Sequence, residues 1–283
     1  MQSFSTIAAT PATPFEDGVA LEVDVTDDWL QGRVAFGGLQ GALGALAMRA
    51  AVGGALPLRA LQMTFVSAVD PGPARAVATV LRRGRAVTHA QCRLASGGRT
   101  AAVLVGLYGA PRAGSLARVD MPMPDGVKRH DTLHDAPFVE SVMPGFLRHF
   151  RQRWAGGTRL YTGESPKPAD MWAQLREAVP EDGTDAPPAL LGAIAAREAS
   201  LVAMADLPPS PALSMLTKRA PGASLTWLLE LVADAREFDP RAWSLLRTET
   251  RHAADGYTSQ TARIWDDSGR PLAVSHQTTA IFD

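Results

Sequence analysis

The chain has 283 residues, 46% hydrophobic and 20% charged, with 28 Lys and Arg against 29 Asp and Glu and a formal net charge of −1. That length suits one large domain or two of roughly 100–150 residues; the apolar content excludes global disorder, and the balanced charge lacks the basic excess of a nucleic-acid binder. One cysteine, Cys92, excludes an intrachain disulfide or a cysteine zinc site, no apolar run approaches the ~20 residues of a membrane helix, and the first residues show no basic-then-apolar leader, so a cytoplasmic protein without nucleic-acid or membrane partners is expected.

Leu39, Ala42, Leu43, Leu46, Ala47 and Ala50 recur with the helical period, predicting a helix that stops near Gly53 and Gly54, before Pro57. Gly38, Gly41 and Gly44 form a second stripe on it. A glycine inside a helix costs roughly 1 kcal/mol relative to alanine, so three of them predict close packing against the backbone. Four strands follow, over residues 61–69, 76–81, 86–94 and 99–108, with turns at Pro71-Gly72-Pro73, around Gly84, and at Ser96-Gly97-Gly98. Such short connections make the pairing mostly antiparallel. His89 and Cys92, three apart on one strand, point to opposite faces.

Residues 111–137, rich in Pro, Gly and charge, read as a linker. His130 and His134 lie four apart there, without the glutamate or the stable helix of a zinc-protease motif, so no metal is expected. Residues 146–154 and 171–178 read as strands. Pro187-Pro188 opens a second helix, apolar at Leu190, Leu191, Ile194, Ala195, Ala199 and Val202, that ends near Asp206, Leu207, Pro208 and Pro209. Strands over 224–232, 243–251, 257–265 and 271–282 complete the chain.

One helix followed by four strands therefore occurs twice. CRLASGGRTAAV (residues 92–103) and ARIWDDSGRPLAV (residues 262–274) both put Gly-Arg at a turn, at Gly98-Arg99 and Gly269-Arg270. An internal duplication of about 130–150 residues accounts for this. The expected class is α+β, with two tandem units, residues 1–110 and 138–283, each a long helix on an antiparallel sheet.

GRVAFGG and the small-residue helix after it (residues 32–50), TFVSAVDPG (64–72), MADLPPSPAL (204–213), ASLTWLLEL (223–231) and RIWDDSGRPLAVSHQ (263–277) together resemble the double hotdog chains of the acyl-CoA thioesterase II family. The resemblance spans nearly the whole chain outside residues 111–137. It implies hydrolysis of an acyl-CoA without a cofactor or covalent intermediate, a place in fatty-acid metabolism, and a homo-oligomer. In that family an Asp ending the second helix, a Ser or Thr on the next strand and a Gln on the last strand hold a water; these fall on Asp206, Ser224 and Gln277. Where the family shows an aromatic residue or His after the Ser/Thr, Trp227 and Leu229 stand here, a departure touching the acyl pocket.

The residues themselves leave alternatives open. Asp206, beside apolar neighbours and two prolines, is either a desolvated base or a helix-end cap. Gln277 lies in a strand with polar neighbours, and Ser224 opens a strand as a turn residue does. Between Asp28 and Asp70 there is no acidic residue, and Gly106 stands as far beyond Arg99 as Gln277 does beyond Arg270. One site per chain, carried by the second half, follows. Gly37-Gly38 ahead of the first helix offers N–H groups to a developing oxyanion, with Gly38 the candidate donor, or only a tight turn. Arg82, Arg83 and Arg85 are solvated turn residues or contacts for CoA phosphates. A serine hydrolase using Ser224 with Asp234 and His252 is the rival enzyme, although Thr226 stands where a nucleophile elbow needs glycine. A non-catalytic acyl-CoA or acyl-carrier binding protein is another reading. A hotdog hydratase would need a histidine near Asp206.

Overall fold

Every strand pairing in the main sheet is antiparallel, as the short connections demanded. The computed structural model describes residues 1–114, 119–176 and 187–283, the side chains of 187–191 excepted. A short helix α1 (Phe4–Ala8) precedes β1 (Thr13–Phe15), β2 (Gly18–Val25) and a small ribbon of β3 (Leu30–Gln31) and β4 (Val34–Ala35). Helix α2 (Gly37–Val52) and strands β5 (Leu58–Phe65), β6 (Gly72–Arg83), β7 (Val87–Ser96) and β8 (Arg99–Gly109) complete the first half. The second half holds β9 (Phe150–Gly156), β10 (Ala169–Leu175), α3 (Pro187–Ala205), β11 (Gly222–Leu231), β12 (Ser244–Ala254), β13 (Tyr257–Asp266) and β14 (Pro271–Ile281).

Among the described residues the main sheet has 12 strands in the order β1-β2-β6-β7-β8-β5-β11-β14-β13-β12-β10-β9. The order reads the same from either edge once each strand is exchanged for its counterpart, and the halves meet where β5 pairs with β11. This is the double hotdog architecture, with α2 and α3 packed against each other.

The duplication extends to irregularities. Register shifts fall at Leu58/Ala60 and Ser224/Thr226, at Val80/Arg82 and Thr250/His252, and at Leu94/Ala95 and Ile264/Trp265. Each bends its strand by one extra residue or a local slip. Their recurrence under different local sequences aligns the halves residue by residue. Gly106, opposite Leu61 and Ala90, is the counterpart of Gln277, opposite Trp227 and Gln260.

Helix α2 is buried almost throughout, as an all-round apolar helix must be. Its glycine stripe touches what the sequence left unnamed. A Cβ at Gly38 would lie 2.5 Å from the Ala203 carbonyl oxygen, at Gly41 2.7 Å from the Trp227 ring, and at Gly44 2.5 Å from Leu104. The buried guanidinium of Arg49 joins the helices by gripping Glu198 at 2.7 and 2.5 Å.

Local pattern and structure differ in places. The strand expected from residue 146 begins at Phe150; residues 145–149 form a 3₁₀ turn. There Phe146 stacks on Phe36 and His149 on Trp29, each with ring centroids 3.8 Å apart, so cross-chain stacking sets the conformation. The strand expected over 171–178 runs Ala169–Leu175, and residues 177 and 178 lie outside the described residues. In the segment 111–137, Met121, Met123, Val127 and Leu133 pack on Trp172, Leu245 and Trp265, while the indole N–H groups of Trp172 and Trp265 donate to the carbonyls of Lys128 and Met121. Met121, Met123, Val127 and Leu133 thus cover the face of the second half turned away from the helices.

Candidate active site

Helix α3 stops at Ala205 because Pro208 and Pro209 cannot continue it. Asp206 is thereby left at the helix end, against the N-terminus of α2. Its carboxylate accepts a hydrogen bond from Gln277 Nε2, whose residue lies on the helix-facing side of β14, and another from the Gly38 N–H. Burial, partly offset by these two bonds, raises the Asp206 pKa to about 7. A Cβ at Gly37 would stand 2.6 Å from Asp206 Oδ2 and 3.3 Å from the Phe65 ring. The Gly37-Gly38 pair thus lets the carboxylate reach the helix terminus.

Gln277 is itself held. Its Oε1 accepts from Gln260 Nε2 at 2.8 Å, which leaves its own amide N–H group to serve Asp206. Trp227, directly opposite Gln277 on β11, donates its indole N–H to Ser275 Oγ at 2.9 Å and packs against Gly41. Gln260 was not singled out in the sequence. Pairing outward from the Gly269-Arg270 turn would set Gln260 opposite Thr279; the irregular register near the turn, with a shift at Ile264/Trp265, brings it opposite Gln277 instead.

Asp206, Gln277 and Gly38 therefore converge. Ser224 pairs with Thr279, two residues beyond Gln277 on β14, and shares its face through the register. Among the described residues no hydrogen bond joins Ser224 to Asp206 or Gln277. The Gly38 N–H, expected to meet an oxyanion, is engaged with the Asp206 carboxylate.

In the first half the equivalent place is filled. A Cβ at Gly106 would meet Met48 Sδ and the Tyr108 ring, each at 3.1 Å.

The constellation for a serine nucleophile does not assemble. His252 lies on β12, three strands from β11, roughly 14 Å at about 4.8 Å per strand. Asp234 is paired with Arg236 at 2.6 Å. Arg83 donates to the carbonyls of Val52 and Ala51 at the end of α2, a favourable place for a cation; Arg82 and Arg85 are exposed. His89 is half-buried and Cys92 buried on opposite faces of β7. His130 bonds Asp267 at 2.9 Å and stacks on Trp243. Among the described residues no three His, Cys, Asp or Glu side chains gather as a metal site, and no helix is long and apolar enough to cross a membrane.

Residues 25–109 match the family model of the acyl-CoA thioesterase N-terminal domain, and residues 124–281 that of the acyl-CoA thioesterase C-terminal domain. Among solved structures, the chain is similar to a conserved hot dog fold protein of unknown function from Alicyclobacillus acidocaldarius, with TM-score 0.80, 17% identity and coverage of 100% of this chain and 99% of that one. It is also similar to the tesB protein of Mycobacterium avium subs paratuberculosis, with TM-score 0.77, 12% identity and coverage of 99% and 100%. At these identities the likeness speaks for the fold. An uncharacterized protein of Mycobacterium tuberculosis is 38% identical over 95 residues, 32% of this chain, and the match spans about a third, 33%, of that relative's length. With both domain models matched in order and the sheet closed across β5 and β11, the chain belongs to the acyl-CoA thioesterase family.

Proposed function

We propose that the protein hydrolyses an acyl-CoA thioester to the free acid and CoA, using a water activated by Asp206 and oriented by Gln277 and Ser224. The observation that carries this reading is the carboxylate of Asp206, enclosed, raised to a pKa of about 7 and fixed by Gln277 and the Gly38 N–H. A base with a pKa near the working pH combines a large deprotonated fraction with useful proton affinity. As the water oxygen bonds to the thioester carbonyl carbon, its proton passes to Asp206. The carbonyl oxygen becomes an oxyanion beside the positive end of α2. Its collapse breaks the C–S bond, and the proton held by Asp206 goes to the departing CoA thiolate.

Thiol release from acyl-CoA esters of graded length tests the reading. Asp206→Asn should lower kcat by about 10²- to 10⁴-fold, the usual contribution of a general base, while binding survives. Gln277→Ala and Ser224→Ala should lose less, because each only orients the water. Full activity in Asp206→Asn would refute the mechanism. Acyl-CoA binding without thiol release from the wild type would favour a binding protein. A fluorophosphonate that labels Ser224 would restore the serine hydrolase.

A further inference from the structure

Among the described residues the Asp206 carboxylate accepts from Gln277 Nε2, at Oδ1, and from the Gly38 N–H. Its other oxygen, Oδ2, stands near an aromatic ring. One point beside Gly37, where a Cβ would lie, is 2.6 Å from Asp206 Oδ2 and 3.3 Å from both Cε1 and Cζ of Phe65. A phenyl ring has no donor to offer a carboxylate. It acts there by displacing water that would otherwise solvate the oxygen, which makes the charged form less favourable.

The fold fixes where this ring goes. Leu61, Met63 and Phe65 alternate on the helix-facing side of β5, the first two fully buried and Phe65 half-buried at the edge of the core. Thr64 pairs with Thr226, so the end of β5 runs beside the register shift between Ser224 and Thr226 on β11. Phe65 belongs to the first half, whereas Asp206 and Gln277 belong to the second. At the matching place in the second half, given by the shared register shifts, stands Leu231, aliphatic and 3% exposed. The larger, more exposed ring occurs where a carboxylate lies beside it.

The charged groups on the surrounding elements are engaged elsewhere. Arg49 of α2 binds Glu198 of α3, Arg197 of α3 donates to the Arg236 carbonyl, and Arg59 of β5 donates to the Gly109 carbonyl. Glu230 of β11 and His276 of β14 pair at 3.6 Å on the opposite face of the sheet. Ahead of α2, Asp28 pairs with His149 at 3.0 Å and Arg33 is exposed; beyond β5, Asp70 pairs with Arg99 at 3.6 Å. Burial, not a neighbouring charge, therefore governs the carboxylate. We infer that Phe65 is the first half's contribution to the hydrolytic step, a positioning residue whose ring keeps bulk water off Asp206 Oδ2 so that the carboxylate takes a proton from the attacking water instead of resting as a solvated anion. This inference rests on the thioesterase reading above.

The test follows thiol release against pH with the full-length protein, using whichever of acetyl-CoA, octanoyl-CoA and palmitoyl-CoA the wild type cleaves fastest. In Phe65→Ala water reaches Oδ2, so the midpoint of the kcat/KM curve should fall from about 7 by about one pH unit or more. The plateau should drop about tenfold, as expected of a weaker base. Phe65→Gln, with comparable bulk and a polar end, should lower the midpoint as well, whereas Phe65→Leu, which keeps an apolar cover, should hold it. Either of the first two variants suffices if the other does not fold. A ring that serves packing alone would give slower variants with the midpoint unmoved, and that result would overturn the inference. Carbon-13 NMR titration of the Asp206 carboxyl, assigned by its loss in Asp206→Asn, reads the same midpoint without turnover. If the wild type releases no thiol from any of the three esters, the thioesterase reading fails. The titration then decides separately whether Phe65 keeps the carboxylate dry: a midpoint lowered in Phe65→Ala upholds this, and an unchanged one overturns it.

Discussion

Asp206 illustrates how position changes the chemistry of one side chain. An aspartate whose ordinary pKa is 3.8 is raised to about 7, chiefly by burial. As a base it must be deprotonated, so kcat/KM should rise with pH through about 7 and level off above, with the rise abolished in Asp206→Asn. The same shift acts on stability in the opposite sense. The folded state holds a proton that the unfolded chain has lost between pH 3.8 and about 7, so the favourable contribution is full below the lower value and lost as pH rises through the upper one. Asp206→Asn should therefore melt above the wild type at pH 8, with the difference vanishing near pH 4; differential scanning calorimetry at the two pH values decides this. Gly37 is tied to the same carboxylate. Gly37→Ala would place a methyl group 2.6 Å from Asp206 Oδ2, so thiol release should fall about tenfold or more, as small misplacements of reacting groups do.

At the scale of elements, the site depends on how α2 and α3 cross. Arg49 and Glu198 form a buried bidentate pair, and Arg49 also donates to the carbonyls of Gly53 and Leu56 while its guanidinium lies 4.6 Å over the Tyr108 ring. Burial raises the Glu198 pKa although Arg49 opposes the shift. Removing one partner leaves the other charge buried, a loss of about 3–5 kcal/mol in comparable pairs. Glu198→Ala should thus lower the urea midpoint accordingly. Thiol release measured below that midpoint should fall as well, because the Gly38–Asp206 contact is set by the same crossing. No local sequence pattern links Arg49 to Glu198. Their partnership, 149 residues apart, exists only once the helices pack.

For the whole molecule, the line where the halves join leaves Val103 41% exposed, on the face away from the helices and beside Val105 and Leu228. A homo-oligomer is the expected assembly, so light scattering at micromolar concentration should give a multiple of 30.0 kDa. A mass of one chain would count against it, and Val103→Glu should lower the mass if this face is the contact. The repeated helix-and-four-strand order was visible in sequence because periodicity survives divergence. The outer strands β1 and β2 escaped notice, although Val19, Leu21, Val23 and Val25 alternate. Alternation over so few residues states that a strand is possible, and only the neighbour β6 determines that it forms there.

The sequence by itself determined the two long helices and the four strands after each, the duplication, the end of α3 at two prolines and the asymmetry that gives only the second half an acid and an amide. These follow from local properties: helical and strand periods, backbone restriction by proline, and residue type. The tertiary structure alone decided that Gly37 and Gly38 meet Asp206, that Gln260 turns Gln277 toward it, and that Ser224 stands further along the same face without a bond to either. Those outcomes depend on strand register and helix crossing. Register and crossing are fixed by the sum of many distant contacts, and no single stretch of sequence contains that sum.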